Sequence, residues 1–375
     1  MKPKTSFIKE KLKNIKENNL YRTLVYNKVA GPYITINGRK HINLSSNDYL
    51  GLGFKPVVSQ IQSSSRLIAG NDISFKKLEN VLAHHKSKEA ALVFPTGYMA
   101  NLGIIPALAQ KNDLIVSDEL NHASIIDACR LSPAKKTIYE HNNITDLEKK
   151  LKNKAKHKFV ITEGIFSMNG DFAKLDDIAK ICRENNAFLL LDDAHGDFVV
   201  GRDGKGSADQ FRVTKNVDVY ISSLSKALGA FGGYIAANKE IIELAINTSR
   251  SFIYTSALPG FLADLALKRI QTNREKNRLG LWEKTRLFTS GLKSIGYNIE
   301  SQSHIIPIIT KDEKKTLEFA KYLRENRIFA HPIRYPTVSQ GEARIRISIT
   351  DWLTKDMILQ SLDTLEKAGK KFQVI

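Results

Sequence analysis

Lys226 stands in Ser222-Ser223-Leu224-Ser225-Lys226-Ala227-Leu228-Gly229, with Phe231-Gly232-Gly233 close behind. A lysine among hydroxyls and small residues suits a carbonyl condensing with its amine while its neighbours bond a phosphate. A free lysine has a pKa of about 10.4, so its amine becomes a useful nucleophile only where desolvation or nearby cations lower that value. By itself such a lysine is more often a surface residue than a reactive one. A second cluster, Leu189-Leu190-Leu191-Asp192-Asp193-Ala194-His195-Gly196, is an apolar run ending in two carboxylates and an imidazole. A carboxylate at the end of a buried strand needs a cationic or hydrogen-bonding partner, and a pyridinium nitrogen would be one. Two alternatives stand beside this. Asp192 or Asp193 caps the following turn with His195 as a satisfied polar residue, or the cluster binds a metal. The metal reading is disfavoured because no other His or carboxylate lies at a spacing typical of zinc or di-metal sites.

Further motifs of the same kind follow apolar runs elsewhere. Phe94-Pro95-Thr96-Gly97-Tyr98-Met99-Ala100-Asn101 passes through a turn into an apolar helix, whose exposed N–H groups and dipole favour a phosphate. A simple Thr96 N-cap is the structural alternative. Asp118-Glu119-Leu120-Asn121-His122-Ala123-Ser124 places an imidazole where it could stack on a flat ring. Thr162-Glu163-Gly164-Ile165-Phe166-Ser167-Met168-Asn169-Gly170-Asp171 empties a strand into a polar, glycine-bearing loop. Each motif is ambiguous alone. Together they supply a phosphate cradle, a stacking His, a partner for a pyridinium nitrogen and a reactive lysine, the separate requirements of bound pyridoxal phosphate.

The elements that must position these residues are legible as alternating patterns. Between residues 74 and 250, short apolar strands at 90–94, 114–117, 159–163, 188–192, 217–222 and 234–237 are mostly separated by helical patterns. Such strands predict a mostly parallel sheet buried on both faces, with ligands bound at the carboxyl ends. Residues 5–20 read as an amphipathic arm. Tyr33-Ile34-Thr35-Ile36 and His41-Ile42-Asn43-Leu44 flank Asn37-Gly38, a hairpin turn signal. Past residue 259 come long charged helices, strands at 304–310 and 344–349, and a closing helix from 353 to about 370, a smaller α+β domain. The predicted division is an arm and hairpin at 1–45, a large domain at 46–270 and a small one at 271–375.

Composition narrows the class. The 375 residues carry 57 Lys and Arg against 39 Asp and Glu, a formal charge of +18 that would attract any polyanion. The lysines are scattered and lack the aromatic interleaving of a single-strand-binding surface, so nucleic acid is not the predicted partner. Cys129 and Cys182 are the only cysteines, which argues against a disulfide framework and fits a reducing cytoplasm. No apolar run approaches the length of a membrane span, and the charged N-terminal segment lacks the apolar stretch of a secretory signal.

Across nearly its whole length the sequence resembles the α-oxoamine synthases, pyridoxal-phosphate enzymes of fold type I that condense an amino acid with an acyl thioester and lose carbon dioxide. Asn43-Leu44-Ser45-Ser46-Asn47-Asp48-Tyr49-Leu50-Gly51-Leu52 carries the likeness most specifically. The resemblance implies a mostly parallel, seven-stranded type of sheet with helices on both faces, plus a small C-terminal domain. It also implies site roles. Lys226 aligns with the Schiff-base lysine, Asp192 would hold the pyridine nitrogen, His122 would stack on the ring, and Ser167 and His195 would bond the phenolic side. Gly97 and Tyr98 would offer backbone groups, Ser223 would contact the phosphate, and Thr255 would reach the phosphate of a neighbouring subunit, implying a homodimer with shared sites.

Asp192-Asp193-Ala194-His195-Gly196, Tyr139-Glu140-His141-Asn142-Asn143 and Arg334-Tyr335-Pro336-Thr337-Val338 through Thr350 are most similar to members that join L-alanine to a pimeloyl thioester. On that likeness Arg346 would take the amino-acid carboxylate, Thr337 and Asn47 would contact substrate, and Arg22 would lie near the acyl end, the chain arriving on coenzyme A or acyl carrier protein. Members that use glycine with an acyl-CoA are the neighbouring possibility. Two features depart from the family pattern near the acyl-thioester entrance: a shortened Gln60-Ile61-Gln62-Ser63-Ser64 stretch, and Phe75 where His is usual. A nicotinamide-binding fold is disfavoured because no G-x-G-x-x-G follows the first strand.

Overall fold

The computed structural model describes residues 13–21, 27–46, 48–52 and 64–375. Arg22, Asn47 and most of the Gln60–Ser64 stretch lie outside the described residues, as does the start of the expected arm. Within the arm, residues 13–17 are helical and exposed. The chain groups into two compact units. One comprises residues 47–167 and 171–279, and the other takes residues 1–46, 168–170 and 280–375.

The first unit is organised by a seven-stranded sheet. Its strands are β1 (Ala90–Phe94), β2 (Leu114–Asp118), β3 (Lys135–Tyr139), β4 (Lys158–Glu163), β5 (Ala187–Asp192), β6 (Val219–Ser223) and β7 (Gly233–Ala237). In space they run β1-β7-β6-β5-β4-β2-β3. Strands β2 to β6 pair in parallel, while β7 lies antiparallel between β6 and β1. The parallel core needs helical crossovers that cover its faces, so both faces are dry and the strand sequences are continuous apolar runs. All residues of β2, β6 and β7 are buried accordingly. This is the expected fold. β3 lies outside the predicted strands, because at the sheet edge Lys135, Lys136 and Ile138 face solvent and the sequence loses its apolar signature.

The parallel direction has a functional consequence. Strands β1, β2, β4, β5 and β6 all end at one edge of the sheet, and each is followed by one of the polar motifs: Gly97, His122, Ser167, His195 and Lys226 respectively. Thr96 caps the Gly97–Leu108 helix, its Oγ1 accepting from Met99 N at 3.1 Å. His122 caps the Ala123–Leu131 helix through its ring.

The second unit contains the hairpin Tyr33–Ile36 and Arg39–Asn43, turned by Asn37 (φ 48°) and Gly38 (φ 73°) in the left-handed region their sequence calls for. Asn27–Ala30 extends this hairpin on one edge, and Ile328–Phe329 joins the other edge in parallel. The C-terminal residues add a three-stranded sheet in which Ala343–Ser348 is central, and the Lys355–Lys371 helix closes the chain.

Candidate active site

Asp192 ends β5 in parallel register with Glu163 at the end of β4. Its side chain is buried and both oxygens are engaged: Oδ2 accepts from Asn101 Nδ2 at 2.7 Å and Oδ1 from Ala194 N at 3.0 Å. Asn101, the fifth residue of the Gly97–Leu108 helix, also donates to Ser124 Oγ at 3.0 Å. Ser124 in turn lies 2.8 Å from His122 Nδ1. Because Nδ1 also accepts from Ser124 N at 3.2 Å, the ring proton sits on Nε2 in the neutral tautomer. Desolvation lowers the His122 pKa, with the Lys226 charge acting in the same direction and Asp192 opposing it, so the imidazole is a neutral, flat surface at pH 7.

Lys226, half-buried in the loop after β6, places Nζ 2.9 Å from His195 Nε2. His195 Nδ1 lies 2.8 Å from the hydroxyl of fully buried Tyr49. An ammonium can only donate, so when Lys226 is protonated Nε2 accepts and Nδ1–H points to Tyr49. Beside Lys226, Ser223 Oγ and Ser225 Oγ are 2.8 Å apart. Gly97 packs against Ser223: a Cβ there would stand 3.4 Å from Ser223 Cβ. The first N–H groups of the Gly97–Leu108 helix and two hydroxyls therefore share one small region, the donor set an oxyanion needs. A Cβ on Gly233 would fall 2.3 Å from Gly97 N, so that glycine permits the close strand–helix approach.

These residues fit pyridoxal phosphate: a buried carboxylate set for a cationic ring nitrogen, a neutral imidazole, an amine, and phosphate donors at a helix start. The buried Oε1 of Glu163 has no hydrogen-bond partner among the described residues. Burial, followed by the Asp192 charge, holds the Glu163 carboxyl well above the usual carboxylate range, so it keeps its proton. Tyr98 donates its hydroxyl to Asp127. Ser167 is buried in the loop after β4, and Thr255 is half-buried after the Arg250–Ile253 helix.

Asp193 departs from its neighbour's role. It faces the other way, accepting from Ser207 N at 3.0 Å and from Lys86 Nζ at 3.2 Å. Of the paired carboxylates, then, Asp192 alone lies in the candidate site's hydrogen-bond network. Its bond from Ala194 N also makes it the cap of the following turn, so the capping alternative and the site reading describe the same side chain. Among the described residues, no cluster of three or more His, Cys, Asp or Glu is arranged to hold a metal.

The profile of the aminotransferase class I and II family matches residues 39–363. The chain belongs to that family. A curated member named 8-amino-7-oxononanoate synthase, from Thermoanaerobacter pseudethanolicus, is 41% identical over 387 residues, covering 98% of each chain. Another so named, 8-amino-7-oxononanoate synthase 1 of Bacillus subtilis, is 36% identical with the same coverage. Among solved members, Sphingomonas wittichii serine palmitoyltransferase superposes with a TM-score of 0.92 at 30% identity over the whole of both chains. The 8-amino-7-oxononanoate synthase of Francisella tularensis gives 0.76 at 29% identity, over 89% of this chain and 99% of that one.

Of the remaining expected residues, the second unit carries Arg346 and Thr337. Arg346 is buried on the Ala343–Ser348 strand and donates to Ser348 Oγ at 2.9 Å, while Thr337 is exposed beyond the cis Tyr335–Pro336 bond. Phe75 is a core residue, 1% exposed, with the Arg66 guanidinium 4.2 Å above its ring. Sequence reading assigned no role to Tyr49, Glu163, Asn101, Ser124 or Ser225. Each stands inside a quoted motif, but only the spatial neighbour across strands reveals what it touches.

Proposed function

We propose that the protein catalyses the decarboxylative condensation of L-alanine with a pimeloyl thioester to give 8-amino-7-oxononanoate, a step of biotin biosynthesis. Carbon dioxide and the free thiol carrier are the other products. The observation that carries this reading is the Lys226–His195–Tyr49 chain beside the Asp192–Asn101 pair, in a chain about 40% identical to curated 8-amino-7-oxononanoate synthases. Bound pyridoxal 5′-phosphate supplies the electron sink that stabilises a carbanion at the amino-acid Cα. The chain's own groups do the rest. Asp192, with a donor on each oxygen, faces and favours a protonated ring nitrogen. Lys226 Nζ removes the Cα proton as general base, and His195 orients that amine. Gly97, Tyr98, Ser223 and Ser225 hold the phosphate, and Ser167 with His195 lies to the phenolic side. His122 offers its neutral ring face for stacking. Arg346 pairs with the substrate carboxylate, with Thr337, Asn47 and Arg22 as further substrate contacts.

We assign the working form as a cytoplasmic homodimer in which Thr255 reaches the phosphate of the neighbouring subunit. No described helix is long and apolar enough to cross a membrane. The strong positive charge suits an anionic acyl carrier, coenzyme A or acyl carrier protein. Purified protein incubated with pyridoxal phosphate, L-alanine and pimeloyl-CoA or pimeloyl-acyl carrier protein is expected to release carbon dioxide and form the nine-carbon amino ketone. A strict demand for glycine and acetyl-CoA would replace this assignment with a glycine C-acetyltransferase. Lys226→Ala is expected to lose at least roughly 10²–10⁴-fold in kcat, the contribution of a positioned general base, and full turnover by that variant would refute its role.

A further inference from the structure

Tyr139-Glu140-His141-Asn142, at the end of edge strand β3, has no part in the chemistry above. Its ring nevertheless carries an unusual constellation. His141 Nδ1 lies 3.0 Å from Asp118 Oδ1 and Nε2 lies 2.7 Å from Asp171 Oδ2. Both ring nitrogens face a carboxylate, an arrangement that only a doubly protonated imidazolium satisfies with two donated bonds. Burial would lower its pKa, but hydrogen bonds to Asp118 and Asp171 and their charges outweigh this and raise it to about 9.

The other end of this contact is the loop that bears Ser167. Ile165 and Phe172 form an antiparallel bridge, and Phe166 N donates to Asp171 O at 3.0 Å, so Phe166 and Asp171 close a small hairpin next to Ser167. His141 touches both closing residues: its ring nitrogen bonds Asp171, and the Phe166 ring meets it edge-on with centroids 4.4 Å apart. Asn142, at φ 54°, completes the grip. Its Nδ2 donates to Asp171 Oδ2 at 3.1 Å and to Phe172 O at 3.0 Å, while its Oδ1 accepts from Lys174 N at 3.1 Å. On the strand side, Asp118 is held in turn by Asn142 N at 3.2 Å and Leu120 N at 2.9 Å.

We infer that His141 is a positioning residue for the active site: as an imidazolium clamped between Asp118 and Asp171, it fixes the 165–172 hairpin and thereby the Ser167 hydroxyl at the cofactor's phenolic side. The inference rests on the proposed placement of Ser167. Asp118 is anchored at the end of β2, an interior strand of the sheet, so the clamp ties the base of the loop to the sheet. A neutral side chain at 141 leaves two carboxylates facing each other across the former ring, and the hairpin base loosens.

The test is a double-mutant cycle on Ser167→Ala and Asp171→Asn, with His141→Gln as a second route to the same break. The readouts are the visible absorbance and circular dichroism of the cofactor-loaded protein and hydrogen exchange of residues 164–173 in the cofactor-free protein. Ser167→Ala is expected to shift the cofactor band. Asp171→Asn and His141→Gln are expected to shift it the same way and to speed exchange in the hairpin at least tenfold, and Ser167→Ala/Asp171→Asn is expected to add nothing to Ser167→Ala. A band that moves in Ser167→Ala but stays put in both clamp variants, with only a lower melting temperature, overturns the clamp and leaves Ser167 in place. Silence in all three variants overturns the placement of Ser167 and the clamp with it. His141→Gln guards against Asp171→Asn failing to fold, since the two break opposite ends of one contact.

Discussion

Asp192 is a buried carboxylate whose two oxygens are each met by a donor, one side-chain amide and one backbone N–H, 2.7 and 3.0 Å away. A hydrogen bond to a charged group contributes roughly 1.5–3 kcal/mol, and losing it exposes the full desolvation cost of the acceptor. Asn101→Leu removes the amide and leaves Oδ2 facing an apolar side chain. Cofactor affinity is then expected to fall roughly ten- to hundredfold, at 1.4 kcal/mol per factor of ten, measured by titrating cofactor-free protein with pyridoxal phosphate and following fluorescence or absorbance. An unchanged dissociation constant would remove Asn101 from the site. The two buried cysteines illustrate the opposite case. Burial raises both thiols, Cys129 to about 12, so neither is a nucleophile at neutral pH.

At the scale of elements, the turn after β5 is held from beneath by a buried charge cluster. Lys86, from the residue following the Ile73–His85 helix, lies 3.2 Å from Asp193 and 2.6 Å from Asp197. Asp197 also meets His85 at 2.9 Å, Ser222 at 2.8 Å and Tyr234 at 2.5 Å. Burial favours the neutral carboxyl, but Lys86 and His85 outweigh it at Asp197 and hold that group below the usual range. Burial and the Asp197 charge win at Asp193, which rises to about 6. The turn these groups pin carries His195, so the cluster sets where the Lys226 amine is met. Lys86→Met leaves two carboxylates without their shared cation and is expected to cost about 3–5 kcal/mol of stability, as when one partner of a buried ion pair is deleted, read from the urea midpoint at constant slope. A loss under 1 kcal/mol would mean that the cluster relaxes to solvent.

For the whole molecule, the clamp at His141 predicts how stability varies with pH. Its folded pKa of about 9 lies above the unfolded value of about 6.5, so between these values the folded protein holds a proton that the unfolded chain has released. The stabilisation is complete below about pH 6.5 and fades as pH rises through 9. Cys129 and Cys182 add a loss of their own above about pH 8.5, where unfolded thiols ionise, but equally in wild type and variant. The gap in urea midpoint between wild type and His141→Gln is therefore expected to be widest near pH 6 and to close towards pH 10. A gap that stays constant over that range would show that His141 is neutral in the folded state.

The alternation of apolar strands and helices, the polar motifs after five of the strands, and the residue types of the candidate site, including Lys226, Asp192, His195 and His122, are legible in the chain. These are local signals: a buried parallel strand needs a continuous apolar run, and a reactive lysine or carboxylate is recognisable by type. Tertiary structure alone showed what Asp192 and Asp193 each touch. Adjacent residues at a strand end point to opposite sides, so one reaches Asn101, 91 positions away, and the other Lys86, 107 positions away. It also decided that Phe75 is core, that Tyr49 backs His195, and that charged β3 closes the sheet edge. Partners so distant along the chain leave no periodicity to read. Strand order and register bring them together, and these follow from burying the whole set of elements at once.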